Sequence, residues 1–169
     1  MHACELKEEF YQSFDATRIE EFIGKLAQTP ESDRRQLPGF LGEGTHFQSF
    51  VLASQPMQLA VNVAKANFLN KGPMAIGRWR TAIRDLRTIE TQALVPPIEI
   101  IQYQGLTAIV MPRGTPLTRK GAEARGLNDA LIETSRALGK AGLILDDYPQ
   151  MVEYQGRFFI NDWSDLQCG

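Results

Sequence analysis

The chain has 169 residues, 43% of them hydrophobic and 22% charged, with a formal net charge of −2. This is enough for one domain with one sizeable core, and it argues against a disordered chain and against a nucleic-acid binder. No apolar run approaches the ~20 residues that span a bilayer, and residues 1–15 carry early acids and no apolar stretch of the kind found in a cleavable signal peptide.

Residues 1–28 read as helical. Asp15 or Ser13 can cap a segment in which Ile19, Phe22, Ile23 and Leu26 recur at helical spacing. Residues 28–38 are polar, contain two prolines and read as a linker. A Gly-Glu-Gly turn follows, then a strand over 47–52, a turn at 54–56, and a second strand to Lys65 with Leu59, Val61 and Val63 on one face. Gly72-Pro73 breaks the chain. Residues 74–94 have helical periodicity (Ile76, Trp79, Ile83, Leu86, Ile89), which Pro96-Pro97 ends. Residues 98–103 and 106–111 predict a hairpin around Gln104-Gly105. An irregular connector over 112–116 leads to a helix over 127–138, and a second hairpin joins 151–154 to 157–160 through Gln155-Gly156. The order predicts an α+β fold rather than a doubly wound α/β sheet. Cys4 and Cys168 lie near opposite ends, without a His or second Cys at ligand spacing. Neither a disulfide framework nor zinc is expected, and a reducing compartment fits.

Three places can carry chemistry. At Leu41-Gly42-Glu43-Gly44-Thr45, two glycines let a backbone turn bring its N–H groups close to phosphate oxygens, although an ordinary hairpin turn would read the same. Lys65 ends an alternating strand. A lysine on a buried strand face needs an anion, and a phosphate or a carboxylate of the next helix would serve; Glu90 is the first candidate and Asp85 the second. Residues 142–150 and 160–166 place Asp146-Asp147 and Asp162 on either side of a short hairpin. Acids so placed can face one point, one accepting a hydroxyl proton and the other holding Mg²⁺. They could equally be loop acids that cap turns.

Together these features resemble protein kinases over about residues 40–166: glycine-rich loop, strand lysine, helix glutamate, hinge, catalytic acid, metal acid. The resemblance implies roles residue by residue. Gly42, Gly44 and Thr45 would cover ATP phosphates, with Phe47 standing where kinases carry a third glycine. Lys65 would pair with Glu90. Met111 to Gly114, including Arg113, would form the hinge whose backbone reads adenine. Asp147 would be the catalytic aspartate, and Asp162 the metal aspartate, with Trp163-Ser164 in place of Phe-Gly. The usual metal-binding asparagine would fall on Val152. However, the spacing 162 − 147 is fifteen, about three residues short of a typical kinase, and a shortened catalytic loop brings Gln150 to that place.

The chain ends at Gly169 without an A-P-E segment or a large helical subdomain. In this it resembles the minimal protein kinases delivered by bacterial type III secretion. It is most similar to the Hop-type effector kinases, which phosphorylate the eukaryotic 90-kDa heat-shock chaperone. The resemblance implies a minimal kinase-like fold: a small antiparallel N-lobe sheet with one helix, and a truncated helical C-lobe. Residues 1–38 would be a helical extension and linker, and residues 39–169 the kinase domain. It implies a serine/threonine-protein kinase that uses ATP and Mg²⁺, acts as a virulence factor secreted into the host cytoplasm, and phosphorylates and inactivates a host chaperone. The alternative is a pseudokinase that grips a host partner without phosphoryl transfer. A small-molecule phosphotransferase and a nucleotidylating enzyme remain open readings of the same residues.

Overall fold

A computed structural model describes residues 3–70, 73–89, 94–145 and 148–169, with the backbone alone at 3, 4 and 73–75. Two helices come first, α1 (Ala3–Ser13) and α2 (Ala16–Ala27). Asp15 separates them. Its backbone is extended and its carboxylate accepts from the Arg18 N–H at 3.3 Å, satisfying a donor that the first turn of α2 leaves open. Ile19, Ile23 and Leu26 form one stripe and are all buried. The expected linker holds a 3₁₀ helix (Glu31–Gln36). Arg34 in it is buried, and its Nε donates to the Leu26 and Thr29 carbonyls at 3.0 and 3.1 Å, so the linker is fastened to the end of α2.

A five-stranded antiparallel sheet follows, built from β1 (Phe40–Glu43), β2 (Phe47–Leu52), β3 (Leu59–Ala64), β4 (Glu99–Tyr103) and β5 (Leu106–Pro112) in the order β1-β2-β3-β5-β4. The Gly-Glu-Gly stretch is not the turn that was expected. Gly42 and Glu43 belong to β1, opposite Ser49 and Gln48, and the turn runs through Gly44, Thr45 and His46. Pairing with β2 overrides the local preference of the glycines for a turn. Lys65 is not the last strand residue either. It is the N-cap of a one-turn helix, α3 (Ala66–Leu69). Helix α4 (Pro73–Leu86) buries Ile76, Trp79, Ile83 and Leu86, and stops eight residues before the expected end at Leu94.

The second half comprises β6 (Thr115–Leu117), α5 (Arg119–Ala124), α6 (Leu127–Lys140), β7 (Leu143–Leu145), β8 (Met151–Tyr154), β9 (Arg157–Ile160) and β10 (Leu166–Cys168). β6, β8 and β9 form one small sheet, and β7 pairs with β10. Both expected hairpins form, β4–β5 and β8–β9. Each turns on Gln-Gly with two positive φ angles, 49° and 79° at Gln104-Gly105 and 49° and 77° at Gln155-Gly156. Two-residue turns of this hand match the twist of the strands they join.

The alternation of β3 divides the core. Leu59, Val61 and Val63 face α1 and α2, in a cluster that also holds Phe10, Ile19, Ile23, Phe50, Val110, Val152 and Phe159. A second cluster gathers α4, α6, β7 and β10 around Trp79, Leu86 and Trp163. The architecture is mixed α+β, and α1 and α2 contribute to the same core as the sheet they cover. Among the described residues no helix is long and apolar enough to cross a membrane.

Candidate functional site

The five-stranded sheet and the β8–β9 hairpin enclose a cleft with two joined halves. One half, about 470 Å³, is lined by Leu41, Gly42, Ala60, Met111, Arg113, Gly114 and Val152 among others. The other, about 370 Å³, is lined by Thr45, His46, Phe47, Ile109, Asp162, Trp163 and Ser164 among others. Gly44, Ser49, Asn62, Gln150 and Asn161 line both and form the waist. The first half has apolar walls of Ala60 and Met111 on the sheet and Val152 on the hairpin, and Glu43 and Arg113 also line it. Gly114 lies flush on this floor: a Cβ there would stand 2.7 Å from the Val152 Cβ. The second half is rich in hydroxyl, amide and carboxylate oxygens.

The polar end is held firmly. Asp162 is exposed to the cleft, and its Oδ1 accepts from the Ser164 N–H at 3.2 Å and from the Ser164 hydroxyl at 2.8 Å. The next residue, Trp163, is 1% exposed, and its carbonyl accepts from Trp79 Nε1 of α4 at 2.8 Å. Asn161 donates its backbone N–H to the Gln150 carbonyl at 3.0 Å, which joins the two amides of the waist. The Asn161 Oδ1 is buried with no hydrogen-bond donor among the described residues. A buried acceptor without a donor is uncommon and calls for a partner. Across the waist, the Ser49 hydroxyl donates to Asn62 Oδ1 at 2.6 Å. In the loop above, Gly44 donates its N–H to the Phe47 carbonyl at 2.9 Å, and the Thr45 carbonyl accepts from Asn67 Nδ2 at 2.8 Å.

Of the residues singled out from sequence, Gly42, Gly44, Thr45, Met111, Arg113, Gln150 and Asp162 line this one cleft. Asp147 and Glu90 lie outside the described residues. Lys65 does not line either half. Its ammonium bonds Glu43 Oε2 at 2.8 Å and the Gly44 carbonyl at 3.3 Å. Glu43 also pairs with Arg35, and the Arg35 guanidinium, with Lys65 second, holds the Glu43 carboxyl below its ordinary range. Lys65 therefore has an anion from β1, and Glu90, its expected helix partner, lies outside the described residues. Asp85, the second helix candidate, is exposed. The reason for the position of Lys65 is strand parity. Ala60 and Asn62 point into the cleft, so Asn62 occupies the inward position in β3, and the chain leaves the strand before Lys65. In the segment expected to form the hinge, the Arg113 N–H is engaged by the Gln58 carbonyl at 3.1 Å, and its guanidinium by Gln58 Oε1 at 2.7 Å.

Sequence reasoning missed Asn62, Ser49, Asn161 and Trp79. Asn62 had a legible signal, a polar residue on the face of β3 opposite Val61 and Val63. Asn161 had a weaker one, its adjacency to Asp162. Trp79 had none, because its partner is 84 residues away. Among the described residues no three His, Cys, Asp or Glu side chains converge. No protein-family model matches the chain, and no curated protein matches it.

Proposed function

We propose that the chain binds ATP with Mg²⁺ in this cleft and transfers the γ-phosphoryl group to a serine or threonine of another protein, as a minimal protein kinase. The observation that carries the reading is the cleft itself. A slot with apolar walls of Ala60, Met111 and Val152, which suit a purine ring, opens through an amide waist onto an end with a glycine turn and the Asp162 carboxylate. The oxygen donors there suit a hard cation: the carboxylate of Asp162 and the amide oxygen of Gln150. A cation held there would neutralise phosphate charge as the γ-phosphorus–oxygen bond breaks.

Leu41, Ala60, Met111 and Val152 hold the base. The Gly44–Thr45 turn lies over the phosphates. Asp147, three residues before Gln150, accepts the proton of the attacking hydroxyl as the new phosphorus–oxygen bond forms and ADP leaves. Such chemistry is mostly positioning and electrostatics, which a small protein can supply. The resemblance to the Hop-type effector kinases extends the reading to secretion into a host cell and to the 90-kDa heat-shock chaperone as substrate.

A second reading is favoured by one observation. No described lysine lines the cleft, Asn62 stands in the inward position of β3, and Lys65 is paired with Glu43. A pseudokinase that binds nucleotide and grips a partner would have this arrangement. Incubation with γ-labelled and, separately, α-labelled ATP in a eukaryotic lysate separates the readings. Label from γ alone supports the kinase and label from α supports nucleotidylation, while nucleotide binding without label supports the pseudokinase. Phosphoproteomics of the purified chaperone, with Asp147→Ala as control, tests the substrate: the assignment fails if no Asp147-dependent site appears while the chain itself is phosphorylated.

A further inference from the structure

The outer side of α4 carries a separate feature. Arg80 and Arg84 of α4 and Arg87 just past its end follow one another at helical spacing, and with Ile100 and Gln102 of β4 they line a groove of about 210 Å³. None of these residues lines the cleft. Two of the three guanidiniums are fixed in place. Arg87 Nη2 donates to Glu99 Oε1 at 2.7 Å. The Gln102 amide faces Arg80, and in the orientation that puts its oxygen toward the guanidinium it accepts from Arg80 Nε at 2.8 Å and from Nη1 at 3.3 Å.

The two tethers differ in charge. Glu99 neutralises Arg87 and also receives the Tyr11 hydroxyl at 2.9 Å. Gln102 orients Arg80 without neutralising it. Arg84 stands exposed between them. Among the described residues that line the groove or pair with its lining, three guanidiniums less the Glu99 carboxylate leave a charge of two, with Asp85 exposed next to Arg84, on a chain whose net charge is −2. Like charges four residues apart on a helix oppose its stability, so Arg80 and Arg84 gain most from an anion placed between them.

We propose that this groove binds a phosphoryl group displayed on a partner polypeptide, a phosphoserine or phosphothreonine. Such a group carries about −1.5 to −2 charges at neutral pH, which matches the uncompensated charge. Guanidinium forks accept phosphate oxygens in pairs, and Arg80 is already oriented to do so. The groove is smaller than the roughly 300–1,000 Å³ of sites that enclose whole small molecules, so it fits one group and not a nucleotide. It lies open beside the edge strand β4, where a group carried on a protein surface can reach it.

The test is fluorescence anisotropy with the full chain and a fluorescein-labelled peptide carrying one phosphoserine among alanines and glycines. The phosphopeptide is expected to bind and its unphosphorylated twin is not. Affinity should fall about tenfold in Arg84→Gln, the loss of one charge-assisted pair, and fall steeply with added salt. Arg119→Gln, outside the groove, should leave it unchanged. Arg84 is exposed, so its replacement tests binding without risk to folding; unchanged melting temperature confirms this. The proposal is overturned if the two peptides bind alike, if Arg84→Gln binds as wild type, or if ATP displaces the phosphopeptide, which would place it in the cleft. Arg84-dependent binding of inorganic phosphate without binding of the phosphopeptide would also overturn it, since the groove would then be a free-anion site.

Discussion

At the scale of single residues, the waist and polar end of the cleft invite direct tests. Asp162 is exposed and its only described hydrogen bonds come from Ser164, so Asp162→Ala should leave the fold intact and abolish phosphoryl transfer. Transfer within a few-fold of wild type would remove Asp162 from the site. Asn161→Ala gives a sharper contrast. Removing a buried acceptor that lacks a donor should cost little stability, yet affinity for Mg²⁺-ATP should drop about tenfold if that oxygen contacts the ligand. Calorimetric titration and a thermal melt on the same variant distinguish the two effects. A loss of stability with unchanged affinity would make Asn161 structural. Glu43 offers a pH test. Arg35 and Lys65 lower its folded-state pKa below the unfolded value of about 4.3. Its stabilising contribution is therefore complete above that value and is lost as pH falls through the folded pKa. The gap in melting temperature between wild type and Glu43→Gln should be constant near neutral pH and close in acid. A gap that does not change with pH would show that the two pairs contribute nothing to stability.

At the scale of elements, a hydrogen bond links α4 to the Asp162 segment beside their shared apolar packing. Trp79 packs with Phe47 and Phe68, at ring separations of 5.6 and 5.1 Å, and its Nε1 donates to the Trp163 carbonyl. Trp79→Phe keeps an aromatic ring in place but removes the donor from a buried carbonyl. The cost should be about 1–3 kcal/mol in urea unfolding. Because Trp163 adjoins Asp162, the variant should also bind Mg²⁺-ATP more weakly. A stability loss with unchanged nucleotide affinity would mean that Asp162 is positioned by Ser164 alone. The elements themselves were unevenly legible. Both Gln-Gly hairpins and the stripe of α2 follow from spacing within a few residues. β1 did not, since nothing in Phe40-Leu41-Gly42-Glu43 resembles a strand until β2 is beside it. β7 and β10 are three residues each and stabilise one another across 20 residues of chain, too short and too distant to show a pattern.

For the whole molecule, the N-terminal helices are part of the core. Phe10, Ile19, Ile23 and Leu26 are at most 1% exposed, against Phe50, Val61, Val63 and Val110 of the sheet. α1 also reaches the β8–β9 hairpin, where Glu9 approaches Arg157 at 3.6 Å and accepts from the Tyr154 hydroxyl at 3.3 Å. Removal of residues 1–28 would expose one whole face of the sheet, so the shortened chain should be insoluble or lack a cooperative transition. Ile23→Ala, far from the cleft, should cost about 2–5 kcal/mol. A soluble, cooperatively folding chain without residues 1–28 would show that these helices are an appendage.

What the amino-acid sequence determined by itself was local: the helical stripe of α2 and its Asp15 cap, the alternation of β3, the paired turns at 104–105 and 155–156, and the mixed α+β class. Each depends on backbone hydrogen bonds and side-chain periods that a few neighbouring residues decide. The tertiary structure decided everything that depends on which distant groups come within reach of one another. It brought Lys65 to Glu43, 22 residues earlier, and it turned Asn62 into the cleft. It joined Trp79 to Trp163 and left the Asn161 Oδ1 buried without a donor among the described residues. Charge pairing and burial act over a few ångströms of space, and separation along the chain does not report that distance.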